Sequence, residues 1–525
     1  MSALIVRIRG SSLCFSVKFL RCQPVDPGPP RLKVHSMSVV SKRLLPLLTL
    51  LLTGCAIADA LNGQQDDTAD MSASSDMAFD LVEASDMDMS PGLDMSPDMD
   101  MSPDLDMMVI PDMAPDMAPD MAPACADHAL SPASSQATAV AVGQDFSCAL
   151  LTDQTVKCWG DNSYGQLGTT TGGRVTGLCR PAVAIGAGAY HACAVLDDGS
   201  VACWGLASLG QLGDGQANPT RNSNIKSPSS TRAAKVRGLT NAQRVYGGEY
   251  YSCARLDNGN VYCWGRNHRN QLGTGDGQGV LFVPSLLALP QDVTASRFSA
   301  GENNACALGN NGGAYCWGRN EYGESGQTAP PFVPGMPEPE EIPTPAPLLV
   351  ERLTDPVRVA SGSGLACAIA TDQDMTGTGT NMLATLCWGG LDTLEGRTNT
   401  AVTTRTNIPA RQHVMPSAQE LYLGKNYACV LNSSGTAECW GTNSSFQLGD
   451  NASSPSLSPV TVKLPPEVKL DTSDDTKMDI DANGLHACAV TKDGDVYCWG
   501  DNAKGQLGRA PIPPNERAFP VKVDL

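Results

Sequence analysis

The sequence predicts an all-β protein: a seven-bladed β-propeller behind a disordered, acidic N-terminal stalk. Three observations carry that reading. All seven tryptophans of the 525-residue chain occur as Cys-Trp-Gly, at Trp159, Trp204, Trp264, Trp317, Trp388, Trp440 and Trp499, spaced 45, 60, 53, 71, 52 and 59 residues apart. Each is preceded by a second cysteine at a nearly constant distance. Residues 56–124, by contrast, hold 16 Asp, one Glu and no Lys or Arg, a composition that cannot bury a core.

The chain begins with a different composition. The formal charge is −19 overall, but residues 1–55 carry +7 and residues 56–124 carry −17, which leaves about −9 on 125–525. A net acidic chain lacks the basic face that phosphate binding needs, so nucleic acid is excluded as a partner. No apolar run reaches the roughly 18 residues of a membrane-spanning helix. Lys42 and Arg43 precede an apolar run from Leu44 to Leu52, the layout of an export signal. Residues 1–36 have no export character and Met37 opens a conventional signal, so 1–36 is read as a mis-assigned upstream start and 37–54 as the signal peptide. Leu52-Thr53-Gly54-Cys55 resembles the lipobox of bacterial lipoproteins. The resemblance implies a lipid on the Cys55 thiol, cleavage after Gly54, anchoring to a membrane and, with Ala56 in place of an Asp, an outer-membrane lipoprotein of the bacterial cell envelope. An ordinary signal peptide with an incidental Cys55, or a buried core helix, is the plainer alternative.

Residues 55–124 form the lipidated Cys and the stalk. The unit Asp-Met-(Ser/Ala)-Pro recurs imperfectly; like charges repel, Pro blocks helix and ladder hydrogen bonds, and the Met side chains are too scattered for a core. Such a spacer spans about 45 Å as a random coil and roughly 200 Å if mostly polyproline-like. Twelve of the 19 Met lie in 66–124. Thioethers are soft ligands for Cu(I), but no His or Cys stands inside that tract to raise the affinity, and the plainer reading is a low-complexity spacer.

Residues 125–525 are read as the propeller. The cysteine pairs are Cys148-Cys158, Cys193-Cys203, Cys253-Cys263, Cys306-Cys316, Cys367-Cys387, Cys429-Cys439 and Cys488-Cys498, six with a separation of 10 and one of 20. Five residues before the first cysteine stands Gly143, Gly188, Gly248, Gly301, Gly362 or Gly424, with Asn483 in the last repeat. Gly and Asn accept φ > 0, so a tight bend between two strands is expected there. A short apolar strand follows, then a turn such as Asp198-Gly199 or Asp493-Gly494, then a strand such as NVYCWG: a β-hairpin. The two cysteines face each other across it at a distance a disulfide can bridge. Next comes W-G-x-N-x-x-G-Q-L-G, as in Trp159–Gly168, altered to Glu324-Ser325-Gly326 in repeat 4 and lost in repeat 5. A last strand such as Phe519–Val523 completes four short strands per unit, and seven such units make a propeller.

On these residues the chain resembles the regulator of chromosome condensation repeat family, over roughly 138–525. The resemblance implies a seven-bladed propeller and leaves the activity open, because one fold hosts many functions.

An exported chain meets an oxidising compartment, so the seven pairs are read as intra-blade disulfides. Each closes a loop worth about 2–3 kcal/mol by the chain-entropy model. Cys14 and Cys22 precede the mature chain; Cys125 and Cys179 remain, and a bridge between them is left open. No Cys-x-x-Cys appears, so no metal site is expected. His191 and His486 stand two residues before a repeat cysteine, where other repeats hold Phe146, Tyr251, Leu365 or Tyr427, and are read as structural. Lys157, Asp161 and Asn162 are read as hairpin and turn residues. No catalytic residue and no cofactor motif is found. The expected function is therefore non-enzymatic: a monomeric propeller that binds a protein partner through the loops in which its repeats differ, 214–235, 274–292, 327–349, 372–384 and 389–418, with the binding edge expected at repeats 4 and 5, which depart most from the pattern. A glycan- or cell-wall-binding adhesion module is the alternative, and an enzyme with a cryptic site in the propeller mouth the more distant one. Nucleotide exchange is rejected, since an exported molecule would not meet a small GTPase.

Overall fold

The computed structural model describes residues 135–525, apart from 171–172, 217–228, 276–278, 329–343, 373–381, 392–404, 481–483 and 511–518. The chain divides into Met1–Met113 and Ala114–Leu525, and every described residue falls in the second unit. The segments 1–36 and 37–54, the lipobox-like Cys55, the stalk, Cys125 and Asn483 lie outside the described residues, as do most of the variable loops 214–235, 327–349 and 372–384 and parts of 274–292 and 389–418.

Each repeat becomes one antiparallel sheet whose strands neighbour one another in chain order. Blade 1 holds β1 (Ala137–Val142), β2 (Phe146–Leu151) and β3 (Val156–Gly160). Blade 2 holds β4 (Ala182–Ala187), β5 (His191–Leu196), β6 (Val201–Leu206) and β7 (Ser229–Lys235), and blade 3 holds β8 (Ala242–Gly247), β9 (Tyr251–Leu256), β10 (Val261–Arg266) and β11 (Val280–Leu286). Blade 4 holds β12 (Ala295–Ala300), β13 (Asn304–Gly309), β14 (Ala314–Gly318) and β15 (Thr344–Leu349); blade 5 holds β16 (Thr354–Ser361), β17 (Leu365–Asp372), β18 (Met382–Gly390) and β19 (Arg405–Val414). Blade 6 holds β20 (Ala418–Gly424), β21 (Tyr427–Asn432), β22 (Ala437–Gly441) and β23 (Ser456–Thr461); blade 7 holds β24 (Met478–Asp479), β25 (His486–Val490), β26 (Val496–Gly500) and β27 (Val521–Lys522). The seven-bladed, all-β reading is thus correct, with one departure: blade 1 has three strands among the described residues, because the chain after Gly168 is too short to return as a fourth.

The first strand of every blade lines a central channel, seen in the residues around its cavity: Val140, Ile185, Val245, Phe298, Val359, Leu421 and Met478. The hairpin turns form as read, with Gly199, Gly259, Gly435 and Gly494 at φ +74°, +81°, +75° and +81°. All seven cysteine pairs are bridged, directly opposite one another in the ladder with Cα–Cα separations of 4.0–4.2 Å. So short a distance marks a pair that does not exchange backbone hydrogen bonds, which leaves each second cysteine's N–H and C=O pointing outward. The glycine after each Trp adopts φ between +95° (Gly318) and +116° (Gly441), where the third strand slips register against the outer one. A side chain in that conformation would be strained.

The glycines five residues before the first cysteine do something other than the expected bend. None from Gly143 to Gly424 has φ > 0. They are glycines because nothing else fits: a Cβ on Gly248 would lie 1.8 Å from the Tyr251 ring, and one on Gly188 2.2 Å from the Gly248 carbonyl. This is where neighbouring blades come closest. Backbone hydrogen bonds cross there from Gln144 N to Ala189 O (3.1 Å), Ala189 N to Gly248 O (3.3 Å), Glu249 N to Glu302 O (3.3 Å) and Lys425 N to Gly484 O (3.3 Å).

The core lies between blades rather than within one. Trp204 of blade 2 packs with Leu167 and Val175 of blade 1, and the pattern repeats around the ring. The ring closes because Ala137, Val140 and Leu151 of blade 1 share a core with Val490, Leu507 and Val523 of blade 7. Ala137 N donates to Gly494 O (2.7 Å) and Val142 N to Asp479 Oδ2 (2.8 Å) across the same seam.

Candidate functional site

The repeat motif is a latch between blades. The indole N–H of Trp204 donates to the main-chain carbonyl of Gln166 in the preceding blade (3.0 Å). Trp264 does the same to Gln211 (2.9 Å), Trp317 to Gln271 (3.0 Å), Trp388 to Glu324 (3.0 Å), Trp499 to Gln447 (3.1 Å) and, across the closing seam, Trp159 to Gln506 (2.9 Å). The glutamine side chain turns back into its own loop: Gln166 Oε1 accepts from Tyr164 N (2.8 Å) and its amide donates to Asp161 (2.9 Å), while Asn162 Oδ1 accepts from Leu167 N (3.0 Å). Asp161 and Asn162 are turn residues, as read. Lys157 instead reaches the Asp524 carbonyl (3.0 Å). In repeat 4 the Glu324 carboxylate keeps the turn through Tyr322 N (2.8 Å) and is neutralised by Arg319 (2.9 Å). Repeat 5 lost the motif, and one blade on the buried Trp440 N–H has no acceptor among the described residues, while the His413 ring packs edge-on against that indole at 5.0 Å.

Two Ser–His pairs deserve a chemical reading. Ser147 Oγ lies 2.9 Å from His486 Nε2 and Ser252 Oγ 2.7 Å from His191 Nε2. Each serine also donates its proton to a main-chain carbonyl, Gln506 (3.1 Å) or Gln211 (2.9 Å). A hydroxyl has one proton, so the imidazole must be the donor to the serine and is not poised to take a proton from it. Both histidines are fully buried, and burial lowers their pKa values, to about 4 for His191 and about 3 for His486. Neither Nδ1 has a partner to orient it as a triad requires. These pairs hold blades together.

At one mouth of the channel, around a cavity of about 150 Å³, three arginines meet acids of other blades, one in the adjacent blade and two across the channel. Arg358 makes two bonds to Glu420 (2.6 and 2.7 Å), Arg297 reaches Asp475 (3.0 Å), and Arg244 lies 3.8 Å from Asp475. The charges answer one another.

The opposite rim is different. It is built by the two residues that follow each close-approach glycine: Gln144-Asp145, Ala189-Tyr190, Glu249-Tyr250, Glu302-Asn303, Ser363-Gly364 and Lys425-Asn426. The half-buried rings of Tyr164, Tyr190 and Tyr250 run across blades 1 to 3, with centroids 5.4 and 5.5 Å apart. The Arg266 guanidinium lies over Tyr250 at 5.5 Å and 3.7 Å from Glu249. Asn303 Nδ2 donates to Glu249 (3.4 Å), Ser363 donates to Glu302, and Arg319 stands 3.7 Å from Glu302 and over the Tyr322 ring. Burial and then Glu302 raise the pKa of Glu249; burial, Asp501 and Asp161 raise that of Asp145. The result is a continuous strip of tyrosine, arginine and carboxylate on one face of the ring.

Sequence reasoning missed this strip. Its signal is the pair of columns directly beside the core position filled by Tyr251 and Tyr427. Among the described residues no group of three or more His, Cys, Asp or Glu is placed to hold a metal. Cys179 is disulfide-bonded; its expected partner Cys125 lies outside the described residues.

Comparison with known proteins agrees with the architecture. The regulator of chromosome condensation (RCC1) repeat matches residues 137–166, 182–211, 243–271, 296–324 and 479–506, and a second model of the same repeat matches 258–308 and 493–525. The probable E3 ubiquitin-protein ligase HERC6 of Homo sapiens is 24% identical over 269 residues, 51% of this chain and 19% of its own length. The ultraviolet-B receptor UVR8 of Arabidopsis thaliana is 26% identical over 273 residues, 50% of this chain and 53% of its own. The chain thus spans less than two thirds of these relatives. Among solved structures, that of Kap60 bound to yeast RCC1 (Prp20) holds a chain that superposes with a TM-score of 0.54 at 18% identity, covering 75% of this chain and 88% of that one, a likeness of fold alone. With its Trp-anchored repeats closed into a ring of seven sheets, the chain belongs to the regulator of chromosome condensation (RCC1) repeat family.

Proposed function

We propose that this protein is a non-enzymatic, lipid-anchored propeller of the bacterial cell envelope that binds a protein partner through the tyrosine–arginine–carboxylate rim of blades 1 to 4. The observation that carries the reading is the strip Tyr164–Tyr190–Tyr250 with Arg266, Glu249 and Glu302. Tyrosine and arginine dominate the energetic centres of protein interfaces, and preformed side chains lose little entropy on binding. The lipobox-like Leu52-Thr53-Gly54-Cys55 and the acidic stalk support anchoring at the outer membrane, and the intra-blade disulfides suit an oxidising compartment.

A glycan is the second reading, favoured by the same clustered aromatics. It fares less well because a sugar stacks on an open ring face, whereas Tyr250 already carries Arg266 and the tyrosines cover one another. The test replaces Tyr190 and Tyr250 together by Ala, and separately Glu249 by Lys, in the full chain. Loss of cell-surface complexes with proteins in both variants supports the protein reading. Protein complexes that persist in both, with loss of glycan-array binding on tyrosine removal, would favour the glycan. Metabolic labelling with a fatty acid, abolished by Cys55→Ser, tests the anchor.

A further inference from the structure

The three arginines at the channel mouth stand at one register on consecutive blades: Arg244 opposite Arg255, Arg297 opposite Leu308 and Arg358 opposite Ile369. Blade 6 carries Glu420 at that register, and blades 1 and 2 only Ala139 and Ala184. The arginines are not equally engaged. Arg358 is held by both oxygens of Glu420 at 2.6 and 2.7 Å, and Arg297 by Asp475 Oδ2 at 3.0 Å. Arg244 makes no hydrogen bond among the described residues; Asp475 Oδ1 lies 3.8 Å from its Nε and Asp474 Oδ2 3.9 Å from its Nη2. Asp475 Oδ1 is itself buried and accepts no hydrogen bond among the described residues. A buried carboxylate oxygen left unanswered is costly, and a guanidinium offers a fork of donors. An unfilled donor and an unfilled acceptor therefore stand 3.8 Å apart on the wall of one cavity.

We propose that this mouth binds a small zwitterion, an α-amino acid with an apolar side chain. Its carboxylate takes the unfilled guanidinium of Arg244, and its ammonium takes Asp475 Oδ1. Its side chain lies against the apolar wall of Ile185, Val245, Phe298 and Leu421. The charge pattern calls for both signs in one molecule. Arg244, Arg297 and Arg358 line the cavity together with Glu420, Asp475 and Asp479, three of each sign. A simple anion drawn to Arg244 would meet the carboxylates of Asp474 and Asp475, and a simple cation drawn to Asp475 would meet Arg297. The short gap between the two unfilled groups suits opposite charges carried on one carbon, as in an α-amino acid, rather than at the two ends of a chain. Size agrees: an apolar cavity of about 150 Å³ admits a group as large as benzene, enough for a leucine or phenylalanine side chain. The site lies on the face away from the tyrosine rim and does not depend on it.

Isothermal titration calorimetry on the full chain tests the proposal with L-valine, L-leucine, L-methionine and L-phenylalanine. Isocaproate and isoamylamine serve as the leucine analogues that lack the ammonium and the carboxylate. The expected result is saturable binding of at least one amino acid. L-leucine should bind at least about tenfold more tightly than either analogue, and Arg244→Met should weaken that binding by about tenfold or more. The variant with Tyr190 and Tyr250 both replaced by Ala, on the opposite rim, should keep the affinity, and the melting temperature of Arg244→Met without ligand reports its folding. Binding by none of the four amino acids would overturn the proposal. So would an equal affinity for isocaproate or isoamylamine, or an affinity that survives Arg244→Met.

Discussion

His486 of the last blade hydrogen-bonds Ser147 of the first at 2.9 Å, joining residues 339 positions apart, and the same contact recurs between His191 and Ser252 two seams further on. Replacing His486 by Ala removes a buried ring and one bond of a buried hydroxyl, so it is expected to cost about 2–4 kcal/mol in urea unfolding. The pH dependence follows in sign. Both histidines have folded pKa values below the ordinary 6.5, so they bind fewer protons folded than unfolded. Their contribution is complete above about pH 6.5 and is lost as the pH falls toward 4 and 3, on the order of 3 kcal/mol each.

Asp479 acts in the opposite sense. It is half-buried at the closing seam, where desolvation outweighs two backbone donors and lifts its pKa to about 6 from the ordinary 3.8. Here the folded state takes up the extra proton, so stability from this group is full below about pH 4 and is lost as the pH rises through 6. Asp479→Asn keeps an acceptor for Val142 N. The variant is expected to be more stable than the parent at pH 7.5 and to lose stability more steeply between pH 6 and 4, read from denaturant midpoints at a series of pH values.

The latch predicts unequal tryptophans. Trp499→Phe removes a bonded N–H and leaves the Gln447 carbonyl unanswered, whereas Trp440→Phe removes an N–H that has no acceptor among the described residues. With similar apolar loss, Trp499→Phe should cost about 1–3 kcal/mol more. Equal costs in chemical unfolding would show that the indole bond does not latch the blades.

The close-approach glycines predict a contrast as well. Gly248→Ala drives a methyl into the Tyr251 ring and should destabilise by more than about 3 kcal/mol. Gly312, at φ +79° with open space around it, should bear Ala for about 1 kcal/mol. Thermal melts of the two variants give the comparison.

Most of the ring was legible in the sequence because repetition turns one local pattern into a global count. Cys-Trp-Gly, the hairpin Asp-Gly and Asn-Gly turns and the pairing of cysteines ten residues apart each follow from strand geometry alone. The role of Gly143 to Gly424 was not, because glycine marks both a positive φ and a close approach, and only the neighbouring blade distinguishes them. The short return after Gly168 was visible as a spacing of 45 residues between the first two tryptophans, yet a length does not say which strand is missing. Tyr190 and Tyr250 escaped for another reason. They stand beside core residues of the same chemical type, and only alternation within the strand entrance turns one ring inward and the next to the rim.

The most direct test of the account places a photoreactive residue at Tyr250 and, in a second chain, at Leu457, which is 61% exposed on the outer strand of blade 6. Irradiation of intact cells should attach one defined protein at position 250 and not at 457. Equal labelling at both positions, or no protein adduct at 250, would contradict the assignment of this rim as the binding face.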